Sequence, residues 1–271
     1  MSIDLMSPEE VENAALKQSG LFLSGHEDVD NCIKLKSLSH KIGTPTEQWL
    51  RRFLTKDADM LIVKNAVNIL APLEDPVLLI GETGTGKEIL AHALHGSRSG
   101  DFVALNCAAV QDTLIESELC GAKRGAFTGA ENTQGLIQQA GEGTIFFDEI
   151  NSASPGFQAK LLRIIESKKF RKVGSSKEED CECRFVFAAN IDLADHPTFR
   201  KDLYYRISTF TLKLKPLRDR REDVELIAKS LDYYEDVNPV IPNSCYERGN
   251  VRSLIAFIRR QQILGELANK L

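Results

Sequence analysis

Four short apolar runs alternate along the chain with stretches in which apolar residues recur at helical spacing. The runs lie at residues 77–80, 102–105, 144–147 and 184–189, and the helical stretches between them lie at 88–95, 113–119 and 158–166. A short, uninterrupted apolar run is typical of a strand that is buried on both faces of a parallel sheet. The alternation of such strands with helices therefore predicts an α/β fold in which helices cover a parallel sheet.

Helical patterns flank this α/β region on both sides. Upstream, Ser7 has the features of a helix N-cap, and apolar residues between positions 46 and 73 predict helices that lead into the core. The apolar residues are Leu50, Phe53, Leu54, Leu61, Ile62, Ala66, Val67 and Leu70. After Pro216 the chain is charged, then helical over 223–234 and again from about Val251, which indicates a second, smaller helical subdomain.

The overall composition narrows the class of protein. The chain has 271 residues, 42% of them hydrophobic, which is enough to form a substantial core. Its formal net charge is -5, so we do not expect a broad basic surface that holds DNA through its phosphates. No apolar segment approaches the length of a membrane span and the N-terminus lacks a signal-peptide pattern, so we expect a cytoplasmic protein without membrane contact.

Cysteine and histidine do not follow the spacing of a metal site. The 6 cysteines are scattered, and free thiols are expected in a cytoplasmic setting. Cys181 and Cys183 directly precede a predicted strand, so we assign this close pair to a loop or a strand edge. His92 and His95 lie on a predicted helix without a third ligand, and we interpret them as packing or surface residues.

A glycine-rich segment connects the first predicted strand to the next helix. It reads Gly81-Glu82-Thr83-Gly84-Thr85-Gly86-Lys87-Glu88. In this context the glycines let successive backbone N–H groups converge on a phosphate, the helix N-terminus adds its dipole, and Lys87 reaches the β- and γ-phosphate oxygens. We therefore predict a nucleotide-binding P-loop. Glu88 stands where serine or threonine usually contacts Mg²⁺, so metal coordination is expected to depend on other residues.

Two adjacent acids, Asp148 and Glu149, end the third predicted strand. The carboxyl ends of strands in an open α/β sheet form the edge where ligands bind. We predict that Asp148 holds hydrated Mg²⁺ and that Glu149 orients and deprotonates an attacking water. A solvated strand end is the alternative, and the upstream P-loop argues against it. Asn190 closes the next strand and is a candidate sensor of the γ-phosphate.

The segment between these two motifs contains a second glycine-rich loop. It reads Gly125-Ala126-Phe127-Thr128-Gly129-Ala130. Glycine at both ends permits a tight turn, and the tip offers one apolar ring and one hydroxyl, which suits contact with another protein. An ordinary surface turn is the alternative on composition alone. The placement between two nucleotide motifs favours an output loop.

Arginines farther along the chain are candidates for contact with the nucleotide. Arg200 and Arg206 could reach the far side of the γ-phosphate across a subunit interface, and a surface salt-bridge network with Asp202 is the alternative. Arg252 begins the last predicted helix and is a candidate nucleotide sensor. We interpret the other basic runs, at 168–172 and 218–221, as solvated faces rather than DNA-binding sites.

Taken in order, these motifs resemble the AAA+ ATPase domain of bacterial enhancer-binding proteins, activators of the sigma-54 form of RNA polymerase. The likeness covers about residues 53–264, and Glu88 is the usual family residue. It rests on the segments at 81–88, 105–109, 116–119, 125–130, 146–150, 199–206 and 216–223. The resemblance implies an AAA+ P-loop NTPase with a C-terminal helical lid. We divide the chain into a short helical extension (1–45), the α/β nucleotide-binding subdomain (46–215) and the lid subdomain (216–271).

The resemblance also implies an activity and partners. ATP with Mg²⁺ is expected to bind between neighbours in a homo-oligomeric ring, commonly a hexamer, where Arg200 and Arg206 act on the adjoining subunit's nucleotide. Phe127 and Thr128 are expected to touch the sigma-54 factor. Asn106 is expected to pair with Glu149 as a switch that links hydrolysis to the output loop. Hydrolysis would then convert a closed promoter complex into an open one.

Some positions depart from the family pattern. The base of the output loop reads Cys120-Gly121-Ala122-Lys123-Arg124, Glu247-Arg248 replaces Trp-Pro, and Thr55 replaces a glycine near the expected adenine pocket. No helix-turn-helix for DNA binding follows the lid helix, so the chain is expected to act from solution or through a partner, or to be a fragment. The alternative function is an ATP-binding regulatory module with weak turnover that binds sigma-54 or co-assembles with another activator.

Overall fold

The computed structural model describes residues 43–126, 131–231 and 241–264 of the chain. The predicted N-cap at Ser7 lies outside these ranges. So do four residues of the output loop, which are Phe127, Thr128, Gly129 and Ala130. The predicted helix at 223–234 is described up to residue 231. The division of the chain at residues 45 and 215 stays a prediction.

Five parallel strands form the central sheet, in the spatial order β2-β3-β6-β1-β7. The strands in chain order are β1 Val77–Ile80, β2 Phe102–Asn106, β3 Thr144–Asp148, β4 Lys169–Phe170, β5 Glu179–Asp180, β6 Arg184–Ala189 and β7 Phe210–Lys213. Strands β4 and β5 form a separate antiparallel ribbon. The two central strands, β1 and β6, are buried at every position, as the apolar runs predict.

The sequence pattern does not predict β7, the strand at one edge of the sheet. Its first three residues are half-buried and its last is exposed, so it lacks the continuous apolar run of a central strand. Its pairing with β1 has the register Val77 to Phe210 and Ile80 to Lys213. The prediction fails here because an edge strand has only one neighbour and needs less apolar surface.

Helices pack on both faces of the sheet. They are α1 Pro45–Leu50, α2 Ala58–Leu70, α3 Lys87–His95, α4 Asp112–Cys120, α5 Leu136–Ala140, α6 Pro155–Ser167, α7 Lys201–Ile207, α8 Glu222–Lys229 and α9 Asn250–Leu264. Side-chain caps account for several starts: Thr44 and Glu47 form a capping box on α1, and Asp57 and Ser154 cap α2 and α6. Within the described ranges, none of these helices has the length and apolar character needed to cross a membrane.

The sheet separates two hydrophobic layers. Alternate residues of β6 face opposite sides, so Phe185 and Phe187 belong to one buried cluster and Val186 and Ala188 to the other. A third cluster lies beneath α8 and α9. It contains Leu217, Val224, Ile227, Ala228, Tyr246, Leu254 and Ile258. The predicted α/β fold with a covered parallel sheet is confirmed.

Helix α2 buries one face against the core. Met60, Val63, Val67 and Leu70 are buried, whereas Ile62 is 56% exposed. The Asp57 side chain caps the helix, so its first turn begins at Ala58. From Met60 onward, the buried residues recur every three or four positions and form one apolar face. The predicted helical stretch is therefore helical here, and Ile62 lies on the exposed side of the helix.

Arg184, the first residue of β6, is completely buried. Its guanidinium donates to the carbonyl oxygens of Leu70 at 2.9 Å, Ala71 at 3.1 Å, Leu94 at 3.0 Å and Asp75 at 3.0 Å. Burial lowers the pKa of Arg184 to about 10. Since the last carbonyls of a helix have no partner within the helix, this side chain caps the C-terminal ends of both α2 and α3.

Candidate nucleotide site

The P-loop lies between β1 and α3, as predicted, and encloses the side chain of Lys87. Lys87 is only 9% exposed, and its Nζ donates to Gly81 O at 2.6 Å and Glu82 O at 3.1 Å. Thr85 is buried and its hydroxyl donates to Glu82 O at 2.8 Å. The lysine therefore rests against the loop's own carbonyls, at the N-terminal end of a helix whose dipole favours an anion.

Two glycines of the P-loop have backbone angles that favour glycine. Gly84 has φ +81° and Gly86 has φ +107°. A Cβ on Gly84 would lie 2.4 Å from Gly249 O, and one on Gly86 would lie 2.8 Å from the ring of Phe53. A larger residue would therefore collide with the lid backbone at position 84 and with the Phe53 ring at position 86.

Asp148 and Glu149 end β3 and contribute negative charge near Lys87. Burial lowers the pKa of Lys87, and the charges of Asp148 and Glu149 partly offset this effect. The Asp148 carboxylate accepts a hydrogen bond from Glu149 N at 2.9 Å, and Glu149 has φ 52°. A left-handed glutamate is uncommon, and such strain is concentrated at functional sites.

Two asparagines close β2 and β6, the strands on either side of β3, at the same edge of the sheet. Asn106 pairs in register with Asp148, and its side-chain oxygen accepts a hydrogen bond from Ala108 N at 2.8 Å. No hydrogen bond joins Asn106 to Glu149 in the described segments, so the expected switch pair stays a prediction. Asn190 follows β6, and its backbone N–H donates to Asn151 Oδ1 at 3.4 Å.

The start of α9 covers the P-loop from above. Val251 N donates to Gly84 O at 3.1 Å, and Arg252 Cβ lies 3.2 Å from the ideal Cβ position of Gly84. The positive charge of Arg252 also contributes to the lowered pKa of Lys87, after burial. In the described part of the chain, Arg252 makes no hydrogen bond or ion pair of its own. The structure thus brings the predicted sensor arginine next to the predicted phosphate loop.

The basic run at 218–221 is not a uniformly solvated face: that interpretation is wrong for Arg220, which is buried, whereas Arg218 is exposed and forms an ion pair. Arg220 is 3% exposed, and its guanidinium donates to Thr85 O of the P-loop at 2.9 Å. Arg218 forms a two-pronged ion pair with Glu82, with distances of 2.7 and 2.5 Å. Both partners lie far away in sequence, so no local pattern could have revealed them.

Arg220 belongs to a buried polar group that the sequence did not reveal. Asp223 is fully buried and lies 3.4 Å from Arg220, and the guanidinium carbon sits 5.4 Å from the centre of the Phe53 ring. Thr55 Oγ1 donates to Asp223 at 2.7 Å, and Lys56 N donates at 2.6 Å. The threonine that departs from the family pattern is therefore hydrogen-bonded to the lid segment.

Arg200 is the N-cap of α7 and Arg206 lies in its last turn, and the two arginines have different surroundings. Arg200 forms a fork with Asp202, at 3.0 Å from Nε and 2.7 Å from one terminal nitrogen. Arg206 is exposed and makes no hydrogen bond or ion pair within the described ranges. The salt-bridge alternative thus describes Arg200 in this structure, whereas Arg206 keeps all of its donors available.

The base of the output loop is anchored to two other segments. Ala122 forms isolated bridges with both Thr133 and Val173, and Lys123 N donates to Val173 O at 3.0 Å. Gly174, in the turn of the β4–β5 ribbon, has no space for a side chain because a Cβ would lie 2.7 Å from Ala126 Cβ. The loop that contains Gly125 and Ala126 therefore starts from a base that is held by hydrogen bonds. In sequence it lies between the P-loop and the acidic pair at the end of β3.

The carboxylate oxygens at the end of β3 are suitable ligands for a Mg²⁺ ion that binds together with a nucleotide. No cluster of three or more histidine, cysteine or acidic side chains that could hold a metal occurs in the described segments. Mg²⁺ in nucleotide sites ordinarily uses one or two carboxylates together with phosphates and water. Asp148 offers such a carboxylate. Glu88, exposed in the first turn of α3, does not supply the missing hydroxyl.

His92 and His95 pack against neighbouring side chains, in line with their interpretation, and the cysteines of the described ranges are free thiols, as expected. His92 stacks between Trp49 and Phe102, with ring centroids 4.0 and 3.7 Å away, and burial lowers its pKa. His95 is hydrogen-bonded to Thr144 at 3.1 Å. Cys181 and Cys183 lie in the loop between β5 and β6, and their buried sulfur atoms are 3.5 Å apart.

Fold and site together define a class of protein. A P-loop follows the central strand β1, paired acids follow β3, and the strand order is β2-β3-β6-β1-β7. This is the arrangement of an AAA+ P-loop NTPase. The chain belongs to the family of the sigma-54 interaction domain, whose model matches residues 53–213.

Known proteins resemble the chain in sequence and in structure. It is 40% identical over 220 residues to the Nif-specific regulatory protein of Azospirillum lipoferum, covering 74% of this chain and 35% of that protein. It is 37% identical over 261 residues to the regulatory protein AtoC of Escherichia coli, covering 87% and 56%. NtrX from Brucella abortus, solved in complex with ATP, superposes with a TM-score of 0.68 at 27% identity, covering 83% and 54%. The chain therefore spans only about a third to a half of these relatives.

Proposed function

We propose that the chain hydrolyses ATP and uses the energy to remodel the sigma-54 form of RNA polymerase through its output loop, Gly125 to Ala130. The observation that carries this proposal is the meeting of Lys87, Asp148 and Glu149 at one edge of the sheet. The family to which the chain belongs and its relatives among transcription regulators favour the same activity. The NtrX structure with ATP supports nucleotide binding by this fold.

The proposed chemistry assigns a role to each part of the site. The P-loop N–H groups and Lys87 hold the phosphates, and Glu149 orients the attacking water and accepts its proton. Asp148 would hold Mg²⁺, which supplies charge neutralisation on the phosphates when it is bound. Asn190 senses the γ-phosphate, and Arg252 contacts the nucleotide from the lid.

A homo-oligomeric ring, commonly a hexamer, would complete the site. Arg206 supports this part of the proposal because it is exposed and has no partner in the described part of its own chain. A positive charge supplied from a neighbouring subunit stabilises the transition state of phosphoryl transfer. Arg200 would first have to exchange Asp202 for a phosphate, so Arg206 is the stronger candidate for this contact.

The output loop is proposed to transmit the state of the nucleotide. It departs from a base held by Thr133 and Val173 and lies between the two nucleotide motifs in sequence. Loss of the γ-phosphate would alter contacts at Lys87 and Glu149, on either side of the loop. Phe127 and Thr128 are the proposed contacts with sigma-54.

Two measurements on purified protein test this function. ATP hydrolysis should rise more steeply than linearly with protein concentration, because the site is completed only on assembly. Capture of sigma-54 should require an ATP transition-state mimic and should be lost in Thr128→Ala, with hydrolysis retained. Slow hydrolysis that is linear in concentration, together with sigma-54 binding, would favour the alternative of a regulatory module. Absence of sigma-54 capture by the unsubstituted protein would refute the output assignment.

A further inference from the structure

The side chain of Glu82 in the P-loop contacts the lid. Both of its carboxylate oxygens accept hydrogen bonds from Arg218, at 2.7 and 2.5 Å. Planar, two-pronged pairing of this kind restricts orientation as well as distance. Glu82 thus offers only its backbone to a phosphate, and its side chain fixes the P-loop to the segment that leads into α8.

Asn250 ties the same carboxylate to the start of α9. Its amide nitrogen donates to Glu82 Oε2 at 3.2 Å and to Thr83 O at 3.1 Å, while its oxygen accepts from Leu217 N at 2.7 Å. Asn250 is fully buried and has φ 54°. A left-handed residue is maintained when its surroundings determine its position, and three hydrogen bonds do so here.

The position of Arg252 follows from these contacts. It comes two residues after Asn250 and stands directly above Gly84, yet in the described part of the chain its own guanidinium is not held by any hydrogen bond. Its placement therefore depends on the backbone at Asn250 and on the hydrogen bond from Val251 N to Gly84 O. A small rotation of α9 about its first turn would move the guanidinium away from the phosphate site.

We infer that Glu82, Arg218 and Asn250 form a latch that seats the lid on the P-loop and so positions Arg252 for the nucleotide. Arg218 and Asn250 are positioning residues, because they act through Arg252 rather than on the phosphates. This inference rests on the proposed function, since it assumes that ATP is the ligand. The latch makes the lid contact a determinant of nucleotide affinity in each subunit, separately from any arginine supplied by a neighbour.

A double-mutant cycle on nucleotide affinity tests the latch. Arg218→Ala should weaken binding of a fluorescent ATP analogue about threefold to fivefold, as expected for a partly exposed ion pair. In an Arg252→Ala background the same substitution should change affinity less than about twofold, because the residue that the latch positions is gone. Arg218 is 42% exposed, so its replacement leaves the core intact, and the thermal melting temperature should stay close to that of the unsubstituted protein.

Two control variants sharpen the cycle. Arg221→Ala removes the same charge from the same exposed segment, has no side-chain partner in the described ranges, and should leave affinity unchanged. Arg218→Lys keeps the charge but loses the two-pronged geometry, and should recover only part of the affinity.

The remaining outcomes distinguish failure of the latch from failure of the proposed function. An equal loss in both backgrounds, or unchanged or tighter binding in Arg218→Ala, overturns the latch while the proposed function stands. Failure of the unsubstituted protein to bind any ATP analogue overturns the proposed function and the latch with it.

Discussion

Buried and exposed arginines of this chain are used in opposite ways. At the amino end of the sheet, Arg184 is completely buried and donates to four backbone carbonyls. Arg206, in the last turn of α7, and Arg252, at the start of α9, are exposed and make no side-chain hydrogen bond or ion pair in the part of the chain that the structure describes. The first kind of arginine holds helices together, and the second keeps its donors for a ligand.

This difference separates arginines that support stability from arginines that are available for function. Removing a satisfied buried donor leaves carbonyls unpaired in the core, which costs folding free energy. Removing an exposed arginine without a partner costs almost nothing in folding, so any loss of activity must come from the ligand it serves. Substitutions of the buried and of the exposed arginines should therefore change different measured quantities.

The largest expected effect is on hydrolysis in Arg206→Ala. If Arg206 completes the site of a neighbouring subunit, its loss should lower the rate of ATP hydrolysis by about 10³-fold or more. Nucleotide affinity and unfolding free energy should stay close to the original values. Steady-state ATPase assays, analogue binding and denaturant unfolding measure the three quantities.

Controls for this prediction lie on the same helix and across the interface. Lys201→Ala removes a charge from the exposed start of α7, whose partner is Asp195, and should leave hydrolysis unchanged. Mixing Arg206→Ala with Glu149→Gln protein should restore part of the activity, because some interfaces then combine an intact Glu149 with an intact Arg206. Full activity in Arg206→Ala would contradict the trans assignment.

Glu149→Gln should come next in size. Loss of the general base is expected to slow hydrolysis by about 10²- to 10³-fold while ATP binding persists, since the amide keeps the shape of the side chain. Single-turnover hydrolysis and equilibrium binding separate the two effects. Unchanged hydrolysis would remove Glu149 from its proposed role, and loss of binding would point to a structural function instead.

Arg184→Met tests the other end of the comparison. Methionine fills similar space but donates no hydrogen bonds, so the carbonyls at the ends of α2 and α3 lose their partner, at a cost of about 3 kcal/mol in unfolding free energy. Denaturant titration measures this loss. Arg163→Met, on the exposed side of α6, is the matched control and should change stability little. Equal stability of the two variants would show that water replaces the guanidinium.

The sequence predicts the parts of this molecule whose cause is local. The sequence predicts strand β6 with its observed bounds because the five residues after Arg184 form an apolar run, which is typical of a strand buried on both sides. Lys87 and Asp148 could be placed at one edge because parallel strands align their carboxyl ends. The partners Arg218 and Glu82, by contrast, are 136 positions apart, and a contact over that distance leaves no periodic signal. Arginine is also ambiguous by itself, since Arg184, Arg206 and Arg218 differ only in what surrounds them.

The smallest predicted effect is the dependence of ATP affinity on pH through the charge of Lys87. Burial lowers the pKa of Lys87, and the charges of Asp148 and Glu149 partly restore it. Because an uncharged amine attracts phosphate weakly, affinity for ATP should fall with rising pH before an ordinary lysine would lose its proton. Glu149→Gln removes one of the restoring charges, so the alkaline loss of affinity should begin at lower pH in that variant. Analogue titrations at several pH values measure the midpoint.

The lowered pKa of Lys87 changes folding stability with pH in the direction opposite to its effect on ATP affinity. In the pH range between the lowered pKa of Lys87 and its ordinary value, the unfolded chain binds more protons than the folded chain, so this group's contribution to stability increases as pH rises. Stability and ATP affinity should therefore move in opposite directions with pH at this residue. A variant in which both decline together on the alkaline side would show that the loss of affinity reflects unfolding, and Lys87 would not be the titrating group.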